Sequence, residues 1–290
     1  MAVHDVSMAA TSAATSSSGA PAALGHDQEA QAWLRQQGRE QWRRRTMPTL
    51  GILGLLGTWW ALVHGLEVRP FIAPSPELVL STMVEKWGVL WSNLLPTMFE
   101  AVAGFTLGNL FAISLATLFV HKRWVQEAFY PIAVMINTIP VVAKAPILVL
   151  LMGNGMEPKI TIAALICFFP TLVNMVRGLE AVNPQSMDLF RVLSASRTEI
   201  FFKLRLPNSL PYLFSALKIA ASTSVIGAVV GEWIGSTRGI GALIIQATYN
   251  FDSALLYSAV VMSSVFSGLF FLAITLVERW VVRWQPAGAH

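Results

Sequence analysis

Residues 95–120 read LPTMFEAVAGFTLGNLFAISLATLFV, and Glu100 is the only charged residue in that run. A helix needs about 20 apolar residues to cross a bilayer core of about 30 Å, so this stretch is long enough to span one. Inside lipid each backbone N–H and C=O must be satisfied within its own segment, which leaves a helix as the only conformation open to it. Five further runs have the same character, at about 47–65, 128–152, 158–177, 212–233 and 256–277. The expected fold class is therefore all-α: a polytopic membrane protein with six transmembrane helices.

Composition supports that reading. Hydrophobic residues make up 54% of the 290 and charged residues 12%, against roughly a quarter charged in a soluble domain. The net charge of +4 sits in short segments between apolar runs, with no continuous basic face, which argues against a nucleic-acid partner. With the N-terminus inside, the inner segments hold Arg35, Arg39, Arg43, Arg44, Arg45, Lys122, Arg123, Arg177, Arg191, Arg197, Lys203, Arg205, Lys218, Arg279 and Arg283. The outer segments hold only Arg69, Lys86, Lys159 and Arg238. An excess of Lys and Arg marks the cytoplasmic side, so both termini are expected in the cytoplasm of a bacterial inner membrane. The chain then divides into a disordered or amphipathic tail at 1–45, a six-helix domain at 46–284 embedded in lipid, and a short cytoplasmic tail at 285–290. The first thirty or so residues are rich in Ala, Ser, Gly and Thr and lack the apolar core of a signal peptide.

Three connections are long enough for structure of their own. The outer one, 66–94, enters through Pro70, Pro74 and Pro76 and continues as a helical pattern from Glu77 to Trp91, with Trp87 and Trp91 as interface anchors. The inner one, 178–211, is the most polar internal stretch and predicts two short helices, Pro184 to Leu193 and Arg197 to Leu204, the second stopped before Pro207. The third, 234–255, carries Gly235, Gly239 and Gly241 and then a short apolar helix, Ala242 to Ala247, expected to pack at the outer mouth of the bundle.

Ionisable groups inside spans are costly and face the bundle interior or a polar cavity, which singles out Glu100, Lys144 and Glu232 as candidates for a translocation path. Lys144 lies between Pro140 and Pro146, where missing amide donors leave carbonyls free. Equally open are a Lys144–Glu100 pair, a snorkelling Lys144 and a solvated Glu232. Gly104, Gly108, Ser114, Gly227, Ala228 and Gly231 read as close helix-packing positions. Cys167, inside an apolar run, reads as a small buried hydrophobe. The five His are scattered, and no Gly-x-x-x-x-Gly-Lys-[Ser/Thr] loop cradles phosphates. The chain is expected to hold no metal or cofactor and not to be an enzyme.

The inner connection carries the most specific motif: Asp188-Leu189-Phe190, three residues, Ser194, nine residues, Leu204-Arg205-Leu206-Pro207. It resembles the loop of ABC-importer permeases that reads Glu-Ala-Ala, three residues, Gly, nine residues, Ile, any residue, Leu-Pro. The spacing matches, while Asp188, Leu189, Phe190 and Ser194 replace the family's residues. Ser194-Ala195-Ser196-Arg197 and Leu206-Pro207 to Pro211 are also similar to the family, as are Thr97 to Gly104, Ile139 to Gly153, Glu232 and Gly239-Ile240-Gly241. Residues 50 to 283 thus resemble permeases of the binding-protein-dependent superfamily, in its nitrate, sulfonate, taurine and thiamine-precursor branch.

The resemblance implies a type I, MetI-like importer fold, working with two cytoplasmic ATPase subunits that bind ATP and Mg, a second permease subunit and an external or periplasmic substrate-binding protein. It makes the 184–207 loop the ATPase-coupling element, through Asp188, Leu189, Phe190, Ser194, Ala195, Arg197, Leu206 and Pro207. Met187, Leu189 and Phe190 would form its apolar contact surface. The cargo is expected to be a small polar solute. Glu100 and the stretch from Ile139 point nearer to thiamine-precursor pyrimidines or related heterocycles than to a sulfonate, taurine or nitrate-type anion. A secondary transporter working without an ATPase is the alternative from another class; it would show related halves, and no repeat links them.

Overall fold

A computed structural model describes Trp42 and residues 46–283; the expectations for the tails 1–45 and 285–290, Trp42 apart, lie outside the described residues. The chain divides into two compact units, Met1–Ala61 and Leu62–His290. The described residues are almost wholly helical, without a strand among them. Helix α1, Thr46–Gly65, is long and apolar enough to cross a membrane.

The second unit contains α2 (Pro76–Glu85), α3 (Trp87–His121), α4 (Arg123–Thr138), α5 (Val141–Met152), α6 (Glu157–Glu180), α7 (Pro184–Val192), α8 (Arg197–Ile200), a π-helical turn at Phe201–Arg205, α9 (Leu206–Glu232), α10 (Ile240–Tyr249) and α11 (Ser253–Val281). Of these, α3, α6, the run from α8 through α9, and α11 each reach membrane-spanning length. The 128–152 run is no single rod: α4 and α5 meet at 100°. Pro140 supplies no N–H and pushes Ile139 into an extended conformation (φ −69°, ψ 124°), so the helix cannot pass through. Counting this bent pair once gives six spans.

Helix α6 is the centre of the unit, clasped between α3 and α9. Small residues let the backbones close: a Cβ on Gly227 would lie 2.8 Å from the Ala163 Cα, and one on Gly231 3.1 Å from the Lys159 Cα. Gly104 and Gly108 of α3 meet Ala163 and Ala164 from the other side in the same way. Ser114 does not join this seam; it is exposed and donates to the Leu110 carbonyl of its own helix.

Toward the α7 end the core gathers Phe119, Leu172, Met175 and Leu179, and toward the α10 end Leu90, Leu94, Ile240 and Leu243. The expected outer helix from Glu77 to Trp91 breaks at Lys86, and its second half is the first turn of α3, with Trp87 and Trp91 stacked at 6.0 Å. Lys86 Nζ sits 2.6 Å from Asp252 Oδ2, tying α2 to the start of α11. Burial pushes the Asp252 carboxyl up, but hydrogen bonds from Lys86 and the Leu255 N–H, with the Lys86 charge, outweigh it and hold it below the usual carboxylate range.

Two cations assigned to aqueous segments are inside the bundle. Lys218 lies within α9 and pairs with Glu278 of α11 at 2.9 Å. Lys159 is buried on α6.

Candidate functional site

Two constellations stand at opposite ends of the bundle. The first is the elbow formed by α7, α8 and the π turn. Asn183 starts α7 by accepting the Gln185 N–H at 2.9 Å, with Pro184 in the first turn, where a missing N–H costs nothing. The helix ends at Ser194, which takes the left-handed conformation (φ 52°). The Ala195 N–H donates to the Phe190 carbonyl and the Ser194 N–H to the Arg191 carbonyl, the paired bonds of a Schellman stop, whose left-handed residue is usually Gly. Ser196 then opens α8 with a complete capping box: its hydroxyl takes the Glu199 N–H while the Glu199 carboxylate takes the Ser196 N–H.

The expected stop before Pro207 does not occur. The Leu206 N–H reaches back five residues to the Phe201 carbonyl, and this wide turn makes room for a proline ring that would otherwise collide with the carbonyl four residues earlier. Chain direction is therefore carried unbroken from Arg197 into α9. Asn208, unforeseen, holds the junction: its amide donates to the Gly178 carbonyl at 3.1 Å and the Ala181 carbonyl at 3.0 Å, satisfying the last turn of α6. Beside it Gly178 meets Ser209, a Cβ there falling 2.9 Å from the Ser209 Cα. Leu206 and Pro207 are half-buried in the junction.

The outward face of the elbow differs from the expected one. Met187 and Phe190 are half-buried, while Leu189, Val192 and Leu193 are 57%, 81% and 68% exposed. These three follow the i, i+3, i+4 spacing that makes one helical stripe. Asp188 and Arg191 flank it as an exposed ion pair at 3.0 Å, and Ala195 and Arg197 follow at its end.

The second constellation lies between α3, α6, α9 and α10. Thr97, Glu100, Lys159 and Glu232 are all buried there. Glu232 Oε1 accepts from the Thr97 hydroxyl at 2.6 Å and Oε2 from the Gly241 N–H at 2.6 Å. The Ile240 N–H donates to Thr97 Oγ1 at 2.9 Å, and the Gly239 N–H to Asn93 Oδ1 at 3.0 Å. Side chains of α3 and α9 thus satisfy the orphan donors that start α10, with carboxylate charge at the positive end of that helix. Lys159 Nζ donates to Ser236 Oγ at 2.9 Å and lies 3.6 Å from Glu100 Oε1. Glu100 Oε2 is buried without a hydrogen-bond partner.

The structure thus brings two of the three ionisable candidates together and leaves the third apart. Glu232 is wholly buried rather than solvated, Glu100 pairs with Lys159 rather than Lys144, and the Lys144 ammonium, half-buried on α5, has no ion pair among the described residues. Lys159 was hidden because it follows Pro158 at the edge of an apolar run, where a lysine reads as aqueous; its position beside Glu100 depends on the register of α6 against α3.

Membrane-length helices packed around one central rod, with a helical elbow at one end and a short buried helix at the other, form the fold of a polytopic membrane transport protein. The chain belongs to the family described as the binding-protein-dependent transport system inner membrane component, whose model matches residues 108–285. It is similar to a probable ABC transporter permease protein of Haemophilus influenzae, 36% identical over 82% of this chain and 98% of the relative. A formylaminopyrimidine transport permease protein of Halalkalibacterium halodurans is 32% identical over 82% of this chain and 95% of its own. A riboflavin transport system permease protein of Chloroflexus aurantiacus is 33% identical over 84% and 94%. Among solved structures, a chain of the MetNI methionine ABC transporter in an inward-facing conformation shares the fold at a TM-score of 0.55, with 20% identity over 69% of this chain and 98% of that one. The chain is thus an ABC importer permease subunit of the inner membrane with the type I, MetI-like fold, and not the secondary transporter that was the other reading.

Proposed function

We propose that this subunit forms half of a translocation path for a small heteroaromatic solute and is driven by cytoplasmic ATPase subunits that grip the α7 elbow. The observation that carries this reading is the stripe Leu189, Val192 and Leu193, exposed on a short helix that follows α6 and precedes the run into α9, two helices that Asn208 and Gly178 hold together. An apolar stripe rimmed by the charges of Asp188, Arg191 and Arg197 suits a protein groove better than water. A displacement of α7 would be passed through the unbroken helix from Arg197 to Glu232, so interface free energy gained on the ATPase can bias the two ends of the bundle. ATP and Mg belong to the partner in this reading.

The excess of Lys and Arg at the elbow end supports a cytoplasmic position for that end and for the termini, with the α10 end turned outward to a substrate-binding protein. A second copy of the permease completes the path. Lys144, Glu100 and Glu232 remain its proposed polar residues. The pyrimidine and riboflavin systems among the relatives favour a nitrogen heterocycle over a sulfonate or nitrate-type anion as cargo.

Reconstitution tests the reading. Vesicles holding the permease with its ATPase partner should take up solute delivered by a binding protein only when ATP is present on the ATPase side. Uptake by the permease alone, along a solute gradient and without ATP, would refute it.

A further inference from the structure

At the elbow end a cavity of about 300 Å³ opens in the crease between the last turn of α3 and the elbow. Its polar lining is His121, Arg191, Arg197 and Arg205, with Met187 and Phe201 among its apolar walls, and no carboxylate lines it. Arg191 is paired with Asp188, but Arg197 and the half-buried Arg205 have no side-chain hydrogen bond or ion pair among the described residues. We infer that this cavity binds the phosphate of an anionic phospholipid headgroup, held by Arg197 and Arg205 between the elbow and the bundle. The inference rests on the reading of the elbow as the handle of the ATPase and adds a lipid partner for its other side.

The lining selects an anion, because cations gathered without a counter-ion repel one another and a phosphate between them reverses the sign. Guanidinium groups suit it best, since their forked donors match two phosphate oxygens at once. The Nδ1–H of His121 is already spent on the Thr117 carbonyl at 2.8 Å, so the two unpaired arginines carry the recognition. Position selects the source of the phosphate. With 3.6 residues to a turn, Met187 and Arg191 mark the side of α7 roughly opposite Leu189 and Leu193, so the cavity lies behind the surface given to the ATPase. Leu118, Trp124 and Phe202, each within three residues of a lining residue, are 45%, 68% and 60% exposed. An exposed Trp beside Lys122 and Arg123 at the end of a span is the composition of a membrane–water interface, and basic pockets there take anionic headgroups. Acyl chains of the same molecule would cover the apolar side chains. A free phosphate would leave them bare, and a carboxylate of the ATPase would have to reach around α7.

Full-length permease in detergent micelles, titrated with phosphatidylglycerol, with phosphatidylcholine of the same acyl chains and with inorganic phosphate, and read by native mass spectrometry, tests this. The first phosphatidylglycerol should bind at least about tenfold more tightly than phosphatidylcholine, and it should stay bound when inorganic phosphate or the ATPase is added. Arg197→Gln and Arg205→Gln should each weaken phosphatidylglycerol about fivefold and leave phosphatidylcholine unchanged. Arg279→Gln, which removes an exposed cation on α11 outside the cavity, should change neither. Arg197 is exposed, so its variant carries the test if Arg205→Gln does not fold. Equal binding of the two lipids, a loss no greater in Arg197→Gln than in Arg279→Gln, or displacement of the lipid by inorganic phosphate or by the ATPase would each overturn the site. Capture of the ATPase on the same sample separates the two claims: capture without a phosphatidylglycerol preference removes only the lipid site, whereas the preference without capture counts against the elbow as a handle and leaves the lipid site standing.

Discussion

Glu232 offers the sharpest test of the α10 end. Its carboxylate accepts two short hydrogen bonds, from Thr97 and Gly241, at 1% exposure. Glu232→Ala removes both acceptors and leaves a cavity. The Gly241 N–H loses its only partner, a penalty of about 1–3 kcal/mol for a buried group, and the lost packing adds a comparable amount, so about 3–5 kcal/mol is expected. Glu232→Gln can be accommodated: its carbonyl takes the Gly241 N–H, its amide faces Thr97, and the Thr97 hydroxyl turns to the Asn93 carbonyl 3.2 Å away. Only the charge assistance is lost, about 1 kcal/mol. Thermal unfolding in detergent micelles reads the stability. Tryptic cleavage after Arg238, in the exposed loop that α10 anchors, reads the local effect and should accelerate strongly in Glu232→Ala and little in Glu232→Gln. Equal cleavage rates in wild type and Glu232→Ala would refute the role given to this carboxylate.

Four further outcomes follow from particular contacts. Ser194→Gly should raise stability by about 1 kcal/mol in chemical denaturation, because the left-handed backbone at φ 52° is costly for any residue with a Cβ. Asn208→Ala, which strips the Gly178 and Ala181 carbonyls of their side-chain donor, should cost about 1–3 kcal/mol and speed amide exchange at the α6 to α7 junction. Lys218→Met should destabilise by about 3–5 kcal/mol by stranding Glu278, while Lys218→Met with Glu278→Leu should recover most of it, as a thermal double-mutant cycle would show. The Asp252 carboxyl is held below its ordinary value, so its contribution is present above the usual aspartate pKa of about 3.9 and lost as pH falls through the lowered one. The difference in melting temperature between wild type and Asp252→Asn, whose side-chain oxygen still caps α11, should therefore be constant above about pH 5 and shrink below it.

The spans were legible because lipid imposes a length and a composition that few other environments demand. The elbow was legible through its spacing, and even the departure at Ser194 has a reading: the position takes a left-handed backbone, which a Gly adopts without strain. What one-dimensional pattern could not supply was register. Lys159 and Lys218 look aqueous by sequence and become the partners of Glu100 and Glu278 only because α6 and α9 turn those positions toward particular neighbours. The exposed face of α7 also depends on three-dimensional placement: the loop motif singled out Met187, Leu189 and Phe190, whereas in the fold Leu189, Val192 and Leu193 form one exposed stripe and Met187 and Phe190 are half-buried. Pro207 misled because a proline stops an α-helix, and the π turn before it removes the clash.

The central claim, that a short helix outside the bundle is the handle by which an ATPase moves it, is tested most directly by an affinity. With Val192→Asp and Leu193→Asp introduced together, the permease should fold and melt as wild type, since both side chains are exposed and make no core contact. Burial of each against a partner is worth about 1.5–3 kcal/mol, so losing both should weaken ATPase binding at least a hundredfold in a nanodisc titration. Binding within twofold of wild type would contradict the account.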